Sequence, residues 1–311
     1  MRSPQDALLL MAMTATAAML ASAGAAAAAD SPAGSPLQSP ASIPDFTGIW
    51  THLTWPAFEP PLAGPGPVMN RVRRNGVGDV YQLVGDFSNP ILQPWAADVV
   101  KRHGEIALAG KGYPTPSNQC WPNGVPYVLW NTDMQMLQQP NQITIIYSND
   151  HEVRHVRMNE PHAARPAPSW YGDSVGHYDG DTLVVDTVAV KRGPFAMVDM
   201  YGTPHTEALH LVERYRLLDE AAAKEAEERG QRELSHLPRR TGSSADQGAD
   251  KGKALQVQFT VEDKGAFTMP WSAAVTYRRL LTEWREMACA ENVHRYFEED
   301  EQVPVADKPD F

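Results

Sequence analysis

The sequence predicts a mainly β fold, built as an antiparallel barrel or else a sandwich, with one helix near residues 95–108 and a short helix at the C-terminal end. Three observations predict it. Paired segments of alternating apolar and polar residues follow one another along the chain, turn dipeptides separate them, and stretches with helical apolar spacing are few. The 26 Pro and 22 Gly among 311 residues agree with a chain that turns often. A closed barrel is the economical arrangement, because closure leaves no strand edge unpaired.

The chain opens with Arg2, an apolar run over 7–21 and a small-residue stretch over 24–29. This is the layout of a secretory signal peptide over 1–29, cleaved near Ala29. The apolar run is shorter than the roughly 20 residues a bilayer core demands. No cysteine follows it to carry a lipid. The expectation is a periplasmic or secreted protein with no stable membrane insertion once the leader is removed. Residues 30–44 read as a disordered Ser/Pro/Ala tether, and a single domain is expected over 45–311. The net charge of −11 survives cleavage, since Arg2 and Asp6 cancel. So acidic a chain excludes nucleic acid as a partner, because phosphate contacts need clustered Lys and Arg.

The first element is a helix within 89–110, entered through a Pro and closed by a Gly, with Trp95, Val99, Val100, Ile106 and Leu108 at helical spacing. A hairpin follows over 142–158, where Ile143, Ile145 and Tyr147 share one face. A turn at Asn149 and Asp150 sets Ile145 opposite Arg154 and Ile143 opposite Val156, so Arg154 projects to the apolar side. The clearest local signal is SVGHYDGDTLVVDTV over 174–188. With Asp179-Gly180 as the two central turn residues, Val175 lies opposite Val184 and His177 opposite Thr182, with Asp186 on the same face. A third pair joins 208–217 to 254–262. Leu209, Leu211, Tyr215 and Leu217 line its apolar face together with Glu213, and Leu255, Val257, Phe259 and Val261 alternate with polar residues on the partner. Residues 218–253 between these strands are charged and Ala-rich, then low-complexity, and read as an exposed insertion. A strand near 273–280 and a short helix carrying Cys289 close the chain.

The start of the folded part, Gly48-Ile49-Trp50, resembles the Gly-x-Trp opening of lipocalins, which implies a calycin-like barrel with the Trp plugging one end. The run SVGHYDGDTLVVDT, together with DFTGIW, CWPNGVP around Cys120, Glu213-Arg214 and CAEN at 289–292, resembles a family of uncharacterised exported bacterial proteins. Members of that family usually carry Trp-Glu where this chain has Tyr178-Asp179. The resemblance implies one module, export and a cysteine pair, and brings no activity with it. Cys120 and Cys289 are the chain's two cysteines, and in an oxidising compartment they are expected to form a disulfide.

Residues 151–155 spell HEVRH, the letter pattern of zinc proteases. That chemistry needs both His on adjacent helical turns. In a strand, His151 and His155 stand ~13 Å apart, too far to share one ion, so no metal site is expected. No nucleophile elbow and no phosphate-cradling loop is present, so no cofactor is expected. Arg154 and Glu213 are ionisable groups on apolar strand faces, and a buried charge is costly unless paired. One reading has them meet inside the barrel near Tyr147 as the polar end of a ligand pocket; the other is a structural ion pair, or Glu213 facing out through a bulge. Three readings follow. The first is a binding protein for a small apolar or aromatic ligand, walled by Ile143, Ile145, Tyr147, Val257 and Phe259 and anchored by Arg154 with Glu213. The second is an isomerase, dehydratase or hydrolase using Glu213, His177 or His205 as base, with Asp173, Asp186 and Glu207 as nearby carboxylates. The third is a structural envelope protein with a filled core.

Overall fold

The computed structural model describes residues 43–52, 58–79, 81–149, 152–233, 249–281 and 287–289. The expected leader, the expected tether up to residue 42, His151, the second half of the expected insertion and most of the expected C-terminal helix lie outside them. Among the described residues, no helix is long and apolar enough to cross a membrane.

Nine strands close a barrel, which settles the choice between barrel and sandwich. Around the ring they are β1 (Gly48–Thr51), β11 (Trp271–Leu280), β10 (Ala249–Glu262), β9 (His210–Leu218), β8 (Thr182–Val188), β7 (Asp173–Asp179), β6 (Val153–Met158), β5 (Gln142–Tyr147) and β4 (Met134–Gln138), which returns to β1. Two further short strands, β2 (Arg73–Arg74) and β3 (Val77–Gly78), form a separate ribbon.

An odd number of strands cannot alternate direction all the way round, so one neighbouring pair must run parallel. That pair is β6 and β7, joined over only three residue pairs: Val156 with Ser174, Arg157 with Val175 and Met158 with Gly176. Parallel neighbours need a crossover of about a dozen residues or more. The connection here runs from Asn159 to Gly172, fourteen residues.

The expected pairing of 142–158 is present, with Ile143 opposite Val156 and Ile145 opposite Arg154. Val153, Arg154 and His155 are extended, so the described part of the HEVRH stretch, from Glu152 on, is not helical. The β7–β8 hairpin corrects the predicted register. Asp179 faces Thr182, His177 faces Val184 and Val175 faces Asp186. The central turn residues are therefore Gly180 and Asp181. Gly180 takes φ +62° while Asp181 keeps a negative φ, so Gly occupies the first central position, where a side chain is least tolerated.

Alternation delivers the core. Trp271, Tyr147, Tyr215, Tyr277, Phe259 and Met134 all point inward and are almost fully buried. Each such side chain contributes roughly 1.5–3 kcal/mol through burial. Trp50 is also buried, and its indole Nε1 donates to the Phe46 carbonyl at 2.9 Å. Helix α1 (Pro94–Leu108) has Pro at its first turn and Gly110 at φ +70° just beyond its end, as the sequence leads one to expect. Its buried face is Ala96, Val100 and Gly104 rather than the larger residues, and Leu108 is 56% exposed. Close approach of the chain at Val84 and Gly85 is the reason: a Cβ on Gly104 would meet Val84 at 2.8 Å, and one on Gly85 would meet Val100 at 2.6 Å. A single short turn, α2 (Val128–Asn131), precedes β4.

The exposed insertion is corrected in its first half. Residues 220–233 form α3 (Glu220–Glu233), which buries Ala223 and Ala226 completely. Arg278 of β11, with a side chain 4% exposed, donates to Glu227 and Glu220, both at 2.5 Å. Strand β10 also begins at Ala249, inside the segment read as insertion. Cys120 and Cys289 stand at disulfide distance, with Cα atoms 5.4 Å apart across 169 positions of sequence.

Candidate functional site

Inward alternation on β6 and β9 brings Arg154 and Glu213 together with no side-chain exposure on either. The guanidinium is bidentate: Nη1 donates to Oε1 at 3.0 Å and Nη2 to Oε2 at 2.5 Å. Arg154 Nε donates to Ser174 Oγ at 3.0 Å and Nη2 to Thr187 Oγ1 at 2.7 Å. Tyr215, two residues along β9 on the same face, donates its hydroxyl to Glu213 Oε1 at 2.9 Å. Four strands thus contribute to one polar knot inside an apolar barrel. Desolvation pulls the Arg154 pKa down, but the Glu213 carboxylate outweighs it and the net change is a rise. The guanidinium stays charged.

Tyr147 lies beside the pair. Burial pushes its phenol up to about 12, against the pull of the Arg154 guanidinium. Its hydroxyl makes no hydrogen bond of ordinary geometry. Phe259 is the cross-strand neighbour of Glu213, and Ile145 that of Arg154. The expected anchor and wall residues therefore converge, but as packed core. Phe259 sits edge-on to Phe58 and Trp271, with ring centroids 4.8 and 6.0 Å away.

The base candidates do not converge. Glu213 faces inward with its carboxylate engaged, whereas His177 is exposed on the outer face of β7. His205 is buried in the loop between β8 and β9, where its Nδ1 lies 3.0 Å from the Thr206 carbonyl and burial lowers its pKa. It lines a narrow recess beside Trp121, Trp170 and Phe195. Glu207 is exposed. Asp173 and Asp186 do come together, through a histidine outside the expected set of acid-base residues. His162 places Nδ1 3.0 Å from Asp173 and Nε2 3.0 Å from Asp186, and His210 Nε2 lies 2.9 Å from the same Asp186 oxygen. Bridging two carboxylates requires both imidazole protons. Burial lowers the His162 pKa, but the bonds to Asp186 and Asp173 outweigh it and raise it overall. Arg157, followed by weaker contributions from His162 and Ala163, holds Asp173 down at about 2.

One open space lies at the parallel seam. Beyond their three paired residues β6 and β7 part, leaving a cleft of about 460 Å³ bordered by 152–155, Arg157 and 169–174. Tyr171 closes its inner side. Its ring stacks on Tyr147 at 5.2 Å and 15°, and its hydroxyl donates to Glu152. Ser174, which borders the cleft, is also the residue that accepts from Arg154 Nε, so the seam reaches the polar knot. The sequence signal for this seam was the fourteen-residue, Pro-rich connection, too long for a hairpin. Comparison with protein-family models, with curated proteins and with solved structures gives no match to this chain.

Proposed function

We propose that this protein is an exported binding barrel that takes a small apolar or aromatic molecule in the cleft between β6 and β7. The observation that carries the reading is the seam: three residue pairs, then a gap of about 460 Å³ bordered by Trp170 and Tyr171 beside Glu152, His155 and Arg157. Aromatic residues with a few placed polar groups, in a volume within the roughly 300–1,000 Å³ of small-molecule sites, suit such a ligand. Export, to the periplasm or beyond, is supported by the leader-like sequence and by the cysteine pair at bonding distance. The shared motifs support membership of the exported bacterial family they resemble. An enzymatic role for Glu213 is disfavoured, because its carboxylate already accepts from Arg154 and Tyr215.

A second reading, a structural envelope protein, is favoured by the interior packing of Trp271, Tyr147, Tyr215 and Tyr277. Native mass spectrometry of protein purified from its own envelope, followed by titration with anilinonaphthalene sulfonate, separates the two. A co-purifying small molecule, or probe binding weakened about tenfold by Trp170→Ala, supports the binding reading. An empty protein with no probe response sinks it and leaves the structural one.

A further inference from the structure

We propose a second ligand site, for a neutral polyhydroxylated molecule such as a sugar, in the groove on the outer face of β9, β10 and β11. The groove encloses about 390 Å³ on a different part of the wall from the β6–β7 cleft. One side is apolar: Pro60, Pro61 and Leu62, the last 86% exposed. The other side is a connected row of uncharged hydrogen-bonding groups projecting outward from the strands. Gln258 Nε2 donates to Gln256 Oε1 at 3.1 Å, and Gln256 Nε2 reaches Thr276 Oγ1 at 3.4 Å. Thr276 Oγ1 in turn donates to Glu59 Oε1 at 2.7 Å. Further along, Thr260 and Ser272 share a hydrogen bond at 2.9 Å.

Glu59 is the built element of this site. Reciprocal backbone bonds to Ala274 at 2.8 and 2.9 Å fix it against β11, and its side chain is 5% exposed. Burial lifts its carboxyl pKa to about 7, against the Thr276 bond and Arg229, so near neutrality it is partly a carboxylic acid that both donates and accepts. The guanidinium groups at the rim already have partners: Arg214 meets Asp179 at 2.7 Å, and Arg229 meets Glu225 at 2.9 Å and Glu59 at 3.8 Å. A charged ligand would lose hydration here without gaining an unpaired opposite charge. A sugar ring, with hydroxyls at its edge and C–H bonds on its face, matches one polar and one apolar wall.

The test is saturation-transfer NMR on the intact oxidised chain with maltose, cellobiose, lactose and sorbitol, and with glucuronate and glucosamine as charged controls. Transfer to at least one neutral compound is expected. Gln258→Ala and Thr260→Ala, both on the outer face, are expected to weaken it up to about tenfold each, the scale of one lost hydrogen bond. Trp170→Ala in the other cleft is expected to leave it unchanged, which keeps this site separable from the proposed binding cleft. Absence of transfer to every neutral compound overturns the proposal. So does stronger binding of glucuronate or glucosamine, binding indifferent to both groove substitutions, or binding lost with Trp170→Ala.

Discussion

Removing one member of the Arg154–Glu213 pair tests the centre of the barrel most directly. Glu213→Gln leaves a guanidinium with no side-chain exposure facing a neutral amide, and a buried ion left without its partner costs about 3–5 kcal/mol. For a domain of this size that is a fall in Tm of roughly 6–20 °C. Arg154→Met strands the carboxylate and is expected to cost a similar amount. The double variant Arg154→Met/Glu213→Leu removes both charges. Ser174 and Thr187 still bond each other at 3.0 Å, while the Tyr215 hydroxyl loses its acceptor. That leaves a penalty of about 1–3 kcal/mol for one buried unsatisfied group. The two single losses sum to about 6–10 kcal/mol, so the coupling between the sites is expected to be at least about 3 kcal/mol. Guanidinium unfolding of the disulfide-intact proteins, followed by Trp fluorescence, measures all four corners of the cycle. Additive losses, or single losses under about 1 kcal/mol, would refute the assignment of an uncompensated buried charge.

Glu59→Gln should make the protein more stable at pH 8 by about 2–3 kcal/mol and flatten its pH dependence. The folded-state pKa of about 7 lies above the ordinary carboxyl value, so this group's contribution is full below about 4.5 and is lost as pH rises through 7; an unchanged slope in urea melts between those values refutes it. His162 is also raised, so its bridge stabilises below about 6.5 and fades as pH climbs past the raised value, while Asp173, held at about 2, contributes above 3.8 and fails as pH falls towards 2. His162→Ala is therefore expected to lose about 1 kcal/mol at pH 5.5 and less at pH 9, measured by urea unfolding at both. Ala226→Asp sets an unpaired carboxylate against the sheet and is expected to lower Tm by several degrees; an unchanged melt would show that α3 does not pack there. Reducing the Cys120–Cys289 bond frees a loop closed over 169 positions, worth about 5 kcal/mol on the chain-entropy account, and is read as a drop in denaturation midpoint.

Alternation made much of this legible. Period-two patterning in 142–158 and 208–217 was enough to turn Arg154 and Glu213 to the same interior, because a strand offers a side chain only two directions. Where local signals competed, the sequence said less. Asp179-Gly180 and Gly180-Asp181 are both turn dipeptides, and the choice depends on how β8 meets β9, a long-range matter. α3 looked solvated because its buried contacts are two alanines, which carry little apolar signal. Glu59 was invisible, since no periodic pattern marks 58–63 and its burial comes from strands some 200 residues later. The parallel seam was hidden for a different reason: strand direction is not written in any one strand, only in the length of what joins two of them.

The pairing of β1 with β11 has a kinetic side. Residues 49–51 pair with 278–280, so the ring cannot shut until both ends of the barrel sequence are present, and until then the strands between them form an open ribbon with two unpaired edges. Truncation just before β11 is thus a lesion of maturation, exposing β1 and β10 as templates for strangers in the same compartment.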